Sequence, residues 1–364
     1  MQDHMPQVHA YDGVTGSHIL RLPYTSAKWS DTLNDAGSLS VDVDYTDQAM
    51  QEGLRSRMRP WLTILALQDD AGIRHAGYLT DISWDAKARR LTLTCGGGMT
   101  ILQRRLVLDH RLDAGWVDRE VIADEQHPPE LMCLHLEGSY PDIIRGLVDE
   151  TMQWGKLPIT LPTREGGTLY RNYFAWDMAY VYDRIQDITQ LQYGPDVRFD
   201  PIQDDDGSMH FNLISTRGIV DRTWRWDSSL PGVRVIPESD DLSGTDMTTQ
   251  VYTVGGRGED KTVMARRYIT PPGGMLLQCA DTTHTTDGDI RSLQGYSRAR
   301  LSRDAWARQS LKLQVGDEYR VHVGDHVDLR PDDDYLGRDW LHLSVTGVDG
   351  DTGSDWLSLQ CTER

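Results

Sequence analysis

Over most of this 364-residue chain, apolar residues fall at every second position in short runs, and that period limits the fold more than any motif does. In "SLSVDVDY" (38–45), Leu39, Val41, Val43 and Tyr45 share one side, and Ser40, Asp42 and Asp44 the other. "RRLTLTC" repeats the pattern with Leu91, Leu93 and Cys95 against Thr92 and Thr94, and "GYLTDISWD" sets Tyr78, Thr80, Ile82 and Trp84 on one face. Side chains alternate across a strand, so a period of two marks a sheet with one buried face. "WLTILAL" (61–67) is apolar at consecutive positions, which predicts a strand covered on both faces. The turn-forming stretches "NDAGS", "DDAGI" and "CGGGM" separate the runs. Strands at this spacing predict a β-barrel or sandwich over residues 1–108.

Two stretches carry helical spacing instead. In "SYPDIIRGLVDETMQWG", Ile143, Ile144, Leu147, Val148 and Met152 form one stripe. Ser139 can cap this helix, Pro141 fits its first turn, and Asp142 suits the positive end of the helix dipole. In "AWDMAYVYDRIQDITQL", Met178, Val181, Ile185 and Ile188 form a second stripe. "YGPDVRFDPIQDDDGSMHFNLIS" then reads as a hairpin, with Val197 and Phe199 on one arm, Met209, Phe211 and Leu213 on the other, and a tip at Asp204–Gly207. Two helices and a hairpin make a small α+β module over 137–216, reached through an irregular connection at 109–136. Residues 217–310 return to β, with long loops and a helix near 292–307; within them, 256–290 show no period. Strands resume over 311–364. The expected fold class is mainly β with an α+β insert.

Charge narrows the function. The chain holds 56 Asp and Glu against 37 Lys and Arg, a formal net charge of −19. Such a surface repels phosphate, which argues against nucleic-acid binding as the main task and against docking on anionic lipid. Solubility alone accounts for the same excess. No apolar run approaches the ~20 residues that span a bilayer, and the opening "MQDHMPQVHAYDG" lacks the apolar core of a secretion signal. Cys95, Cys133, Cys279 and Cys361 are far apart with no CxxC pair, so neither zinc nor redox chemistry is expected, and folding is expected in a reducing cytoplasm. There are 11 Trp and 15 Tyr but only 3 Phe, a skew seen at interfaces and also in barrel cores. Trp29, Trp61 and Trp84 lie in strand patterns and are candidate core or interface residues.

The order of these parts resembles the tail-hub, or baseplate-hub, proteins of long-tailed bacteriophages, in particular the minor tail proteins of phages infecting actinobacteria. Four stretches carry the resemblance. They are "KWSDTLNDAGSLSVDV"; the strand-turn-hairpin run "PWLTILALQDDAGIRHAGYLTDISWDAKARRLTLTCGGGMTIL"; the helical module closing on "DVRFDPIQDDDGSMHFNL"; and the ending "VHVGDHVDLRPDDDYLGRDWLHLSVTGVDGDTGSDWLSLQ". The resemblance implies a homotrimer whose subunits each supply two tail-tube-like β-barrels, converting a six-fold tube into a three-fold tip. The first barrel would be 1–108. The second would combine residues near 221–256 with 311–364, and the 137–216 module would sit beside or below them. The resemblance further implies a place at the tail tip of the virion. Partners would be a distal tail protein or tube ring, the tape-measure protein and downstream fibre or tip proteins, with no membrane insertion. DNA would pass through without specific binding. A lumen lined with carboxylates would keep that DNA from sticking. Asp204, Asp205, Asp206, Asp332, Asp333 and Asp334 are candidates for it, or else solvated turn residues. Trp29 would pack under the sheet, or against the adjoining ring, in the first hairpin of the barrel.

Catalytic signatures are missing from the sequence. It contains no HExxH, GxSxG or P-loop, and "GGRG" (255–258) lacks the Lys and Ser/Thr that bind phosphate. Both Asp clusters fail the calcium-loop pattern: Ile202 stands where Gly207 needs an acid, and Leu343 where a bidentate Glu belongs. His127, Cys133 and His135 lie close but lack an evident fourth ligand. The chain ends almost at the last hub strand, so no fused hydrolase is expected. The expectation is therefore a protein that is not an enzyme and uses no cofactor. Two other readings stay open. One is a distal tail ring protein, and the other a carbohydrate-binding or carbohydrate-active β protein using Trp116, Trp154 or Trp340. The locally basic "RSLQGYSRARLSRDAWARQ" is either a contact with an acidic neighbour or a solvated helix face.

Overall fold

The alternating runs join into one sheet that draws on both ends of the chain. The computed structural model describes residues 6–45, 53–111, 120–124, 126, 132–256, 262–270, 275–284 and 288–364. The N-terminal half of the sheet holds β1 (Gln7–Asp12), β2 (His18–Leu22), β3 (Ser26–Thr32), β4 (Ser38–Asp44), β5 (Thr63–Asp69), β6 (Gly72–Asp85) and β7 (Arg90–Gly97), with one helical turn, α1 (Leu54–Arg57), between β4 and β5. The α+β module follows: β8 (Cys133–Gly138), α2 (Tyr140–Trp154), β9 (Ile159–Thr160), β10 (Leu169–Phe174), α3 (Val181–Thr189), β11 (Asp196–Gln203) and β12 (Met209–Thr216). After β13 (Thr223–Asp227) and β14 (Val235–Ser243) comes an inserted unit of β15 (Gln250–Gly255), β16 (Val263–Tyr268), β17 (Gln278–Asp281) and α4 (Ile290–Asp304). The strands β18 (Arg308–Gly316), β19 (His326–Arg330), β20 (Leu341–Asp351) and β21 (Trp356–Glu363) complete the sheet.

Its order is β14-β18-β21-β20-β3-β4-β7-β6-β5-β1-β2, with β19 beside β20 and β13 beside β19. Among the described strands this order stays open, from β14 to β2. The protein is mainly β with a few helices, and the strands expected in two barrels share one continuous sheet. β20 joins the halves. Its first part pairs with β19; past a register shift between Val345 and Gly347 it pairs with β3, Gly350 opposite Trp29. A bulge bends and twists a strand, which lets it leave one partner for another.

Two cores lie on opposite faces of this sheet. One runs through both halves and includes Val41, Leu65, Leu67, Leu93, Leu313, Val327, Val345 and Leu359. The other lies between the N-terminal strands and the module, where Ile64, Ala66 and Tyr78 meet Ile143, Leu147, Ile185 and Phe211. The consecutive apolar residues of β5 are thereby explained, because Leu65 and Leu67 enter one core and Ile64 and Ala66 the other. Each fully buried Leu or Ile side chain here contributes roughly 1.5–3 kcal/mol.

α2 starts where its sequence predicts. Ser139 Oγ accepts from the Asp142 amide at 3.2 Å, and Asp142 Oδ2 accepts from the Ser139 amide at 3.1 Å, a reciprocal cap. Asp142 also accepts from the amides of Glu165 and Gly166, tying a loop to the helix. The second helix is shorter than its stripe predicts. Ala175–Asp177 form a 3-10 turn, and Met178 takes a left-handed backbone (φ 44°) that ends it and leaves the side chain 47% exposed. Only Val181, Ile185 and Ile188 of the predicted stripe are buried.

Other boundaries differ too. The hairpin of β3 and β4 is preceded by one of β1 and β2. Residues 250–255 leave the large sheet altogether; β15 pairs with β16 and β17 under α4. β8 forms inside the expected connection at 109–136, and β16 and β17 inside the stretch that showed no period.

Candidate assembly surfaces

The three tryptophans of the strand patterns occupy different environments. Trp29 is 8% exposed in the core that links the halves. Its ring lies over Gly350, where an added Cβ would stand 2.0 Å from Trp29 Cζ2. Trp61 is not in a strand: it precedes β5 with a left-handed backbone (φ 65°), its amide bonded to the Leu79 carbonyl at 2.7 Å and Arg104 over its ring. It packs half-buried against the second core. Trp84 is 47% exposed, so a core reading does not hold for it. The unpaired Thr80 sets the face of Trp84, that of its partner Leu91 and the first core, and its place near the hairpin end leaves it exposed. Leu79 pairs with Cys95 and Asp81 with Thr94, so parity changes along β6 and Tyr78 faces the second core without Ile82 or Trp84. Trp84 stands near the free end of the hairpin, edge-on to Tyr45.

The acidic tips are exposed turns held by their own chain. Asp204 caps the tip of β11 and β12, accepting from Ser208 Oγ and facing His210 Nδ1 at 3.0 Å, while Asp206 accepts from the amide and hydroxyl of Ser208. Asp333 accepts from the amides of Tyr335 and Leu336, and Asp332 pairs with Arg338 at 3.1 Å. Hydrogen bonds from Ser208 hold the Asp206 carboxyl below its ordinary pKa, and the backbone amides of Leu336 and Tyr335 do the same for Asp333. Asp205 and Asp334 are exposed beside them.

Two further surfaces are ones the sequence pattern does not predict, and a third falls within the locally basic stretch at 291–309. The first is an aromatic belt on the module, with Tyr170, Phe174, Trp176, Met178 and Tyr180 between 36% and 65% exposed, and Phe174 stacked on Trp176 at 4.4 Å. The run "LYRNYFAWDMAYVY" is dense in aromatics with no single period, but the helical stripe absorbed its second half. Beside the belt, a groove of 610 Å³ opens between β10, α3 and α4, lined by Tyr140, Arg171, Arg184, Asp187 and Tyr296 among others. The second is the face of the inserted sheet turned from α4. Ala265 packs with Leu293 and Tyr296, so by alternation Met264, Arg266 and Tyr268 point away, with Met264 and Tyr268 each 60% exposed. The third surrounds Trp306, also 60% exposed.

Metal-ligating geometry is thin. Among the described residues Asp109, His110 and Glu150 converge, but Asp109 is held two-pronged by Arg111, and Glu150 accepts from the amide of His110 and faces its Nδ1. Of the suspected trio, His127 lies outside the described residues; His135 bonds Asn172 and Glu137. Of the candidate sugar platforms, Trp116 lies outside them, Trp154 donates to the Leu108 carbonyl, and Trp340 already carries Arg225 at 4.4 Å.

The whole chain, in this order of strands and helices, superposes on solved proteins. The 43 kDa tail protein of prophage MuSo2 from Shewanella oneidensis aligns with a TM-score of 0.56 at 10% identity, covering 99% of this chain and 97% of that one. The fold is shared with phage tail proteins. A tail protein from Neisseria meningitidis aligns at 0.51 and 13% identity over 98% and 96% of the two chains. Prophage tail protein gp18 from Listeria monocytogenes aligns at 0.51 and 10% over 98% and 94%. No family model matches the sequence, and no curated protein does either. At such identities the tail-protein fold is carried by patterning and packing, with few residues in common.

Proposed function

We propose that the chain is a structural protein of a phage tail, placed at the tail tip as a homotrimeric hub. The observation that carries this reading is the end-to-end alignment with tail proteins over nearly the full length of both chains. In this proposal each half of the sheet acts as one tube-like unit, and β20 holds the two in fixed relation. Three subunits then offer six such units to the tube or distal ring. Tape-measure protein and DNA pass through the centre, and fibre or tip proteins attach below. The work is assembly and a conformational opening, with no covalent step. The net charge of −19 supports passage of DNA, since carboxylates facing a channel repel phosphate. The exposed tips at Asp204–Asp206 and Asp332–Asp334 would line it.

Immunogold micrographs of virions, with quantitative mass spectrometry, test the reading. Label at the tail tip with about three copies per particle is the expected result. About six copies would make the chain a distal ring protein, and unlabelled particles would remove it from the tail.

A further inference from the structure

The locally basic stretch closes into a cluster around one buried carboxylate. Asp304 ends α4 with its side chain 0% exposed, and three arginines reach it: Arg300 Nε at 2.5 Å, Arg303 Nε at 3.1 Å, and Arg308 from the start of β18. A carboxylate at a helix C-terminus opposes the helix dipole, so these cations are what stabilise it there. The match is unequal. One carboxylate accepts about four hydrogen bonds, whereas three guanidinium groups offer about fifteen N–H donors. Asp246 lies close enough to act on Arg303 and Arg308, which still leaves cations in excess; Asp281, also near Arg303, is engaged by Thr283 and His284. Burial and the neighbouring guanidiniums hold both Arg303 and Arg308 below the ordinary arginine pKa. Their charge is thus under-compensated within the chain, although their side chains are 43% and 45% exposed. Trp306 projects from the same turn, 60% exposed. Exposed Arg and Trp on a turn braced by a buried ion pair have the composition of interface hot spots.

We infer that Arg300, Arg303, Arg308 and Trp306 form a docking surface for a second copy of this chain and receive a carboxylate-bearing surface of that copy. Charge selects the occupant. Residues 246–308 hold nine Lys and Arg against seven Asp and Glu, so the whole negative excess of the chain lies elsewhere on it. Any other copy therefore presents acidic surface. Nucleic acid is a poor occupant, because the same excess repels phosphate around the cluster. A basic patch meeting an acidic one is a head-to-tail contact, the kind that closes into a ring. This contact deepens the oligomeric hub proposed above, and it is tested apart from it.

The full-length chain is compared with Arg303→Ala and Trp306→Ala by sedimentation velocity at low and high salt. Arg303→Ala leaves Asp304 with two arginines, and circular dichroism confirms folding before association is read. The wild type is expected to self-associate less at high salt, and each variant to weaken association about tenfold or more. A photoreactive benzoylphenylalanine at position 306 is expected to cross-link to an acid-rich peptide of a second copy. A wild type that stays monomeric, variants that associate unchanged, or cross-links confined to one chain would overturn the inference. Self-association through the cluster by a chain absent from virions would sink the tail-tip reading alone. Virions that contain the chain and assemble normally with Arg303→Ala would sink this contact alone.

Discussion

Trp29 is one of five β3 residues paired with β20 where the two halves of the sheet meet, and its neighbour Gly350 leaves room for its ring. The indole leaves no room for a side chain opposite, and its own removal leaves a void that packed strands fill only partly. Trp29→Ala should lower stability by about 3–5 kcal/mol and impair particle assembly. Gly350→Ala should cost about 1–3 kcal/mol, because the ring must move. Denaturant unfolding reads both as a lower midpoint at an unchanged slope. A Trp29→Ala protein as stable as the wild type would place the ring outside the load path between the halves. At the start of α2, Ser139→Ala removes one half of the reciprocal cap and should cost about 1 kcal/mol, read the same way.

Among the elements, the inserted unit is the one whose attachment depends on charge. It meets α3 through a small apolar cluster of Leu191, Ala265, Leu293 and Tyr296. Beside that cluster, His284 stacks on Tyr296 at 3.6 Å, with Asp281 Oδ2 3.5 Å from one ring nitrogen and Asp187 Oδ1 3.7 Å from the other. Burial pushes the Asp281 carboxyl up, but hydrogen bonds from His284 and Thr283 outweigh it and hold the pKa well below the usual range. The folded state then binds fewer protons on Asp281 than the unfolded state does. Its stabilising effect is complete above the unfolded pKa of about 3.9 and is lost as pH falls through the lower folded value. Asp187 runs the other way, since burial raises its pKa and so favours folding only at the acid side. Hydrogen exchange over residues 250–304, corrected for intrinsic rates, should show Asp281→Asn less protected than the wild type at neutral pH. The two should converge in strong acid. Equal protection at neutral pH would mean that Asp281 does not hold the insert.

Across the whole molecule, one sheet and one core span both ends of the chain, so the halves should lose structure together. Val348→Asp places a carboxylate in that shared core at the strand joining them. It should lower the unfolding midpoint and expose the amides of residues 7–97 and 308–363 in one transition, seen by hydrogen exchange along a denaturant series. Two separate transitions would mean that the halves are independent units joined only in sequence.

The local pattern alone determined the strands with clear alternation, such as β4, β7 and β12, where α2 begins and that β5 is covered on both faces, because alternation, capping and burial are written in neighbouring residues; β8, β16 and β17 carry no such clear pattern. The tip residues of the β11 and β12 hairpin were legible for the same reason, since Asp, Gly and Ser make that turn with their own side chains. Partnership between distant segments was not legible. Nothing near Trp29 announces Gly350, and nothing near Gln250 says that β15 leaves the large sheet for β16 and β17. A single unpaired residue, Thr80, turned Trp84 away from the face of Tyr78, and one left-handed backbone at Met178 removed a turn from a helix. The arginine cluster lies between these cases: Arg300 and Arg308 each stand four residues from Asp304, so the pairing is local, and only the burial of that carboxylate needed the fold. Register, bulges and the burial of a charge are settled by contacts between residues far apart in the chain, and those contacts exist only once the sheet has closed its two halves on a common core.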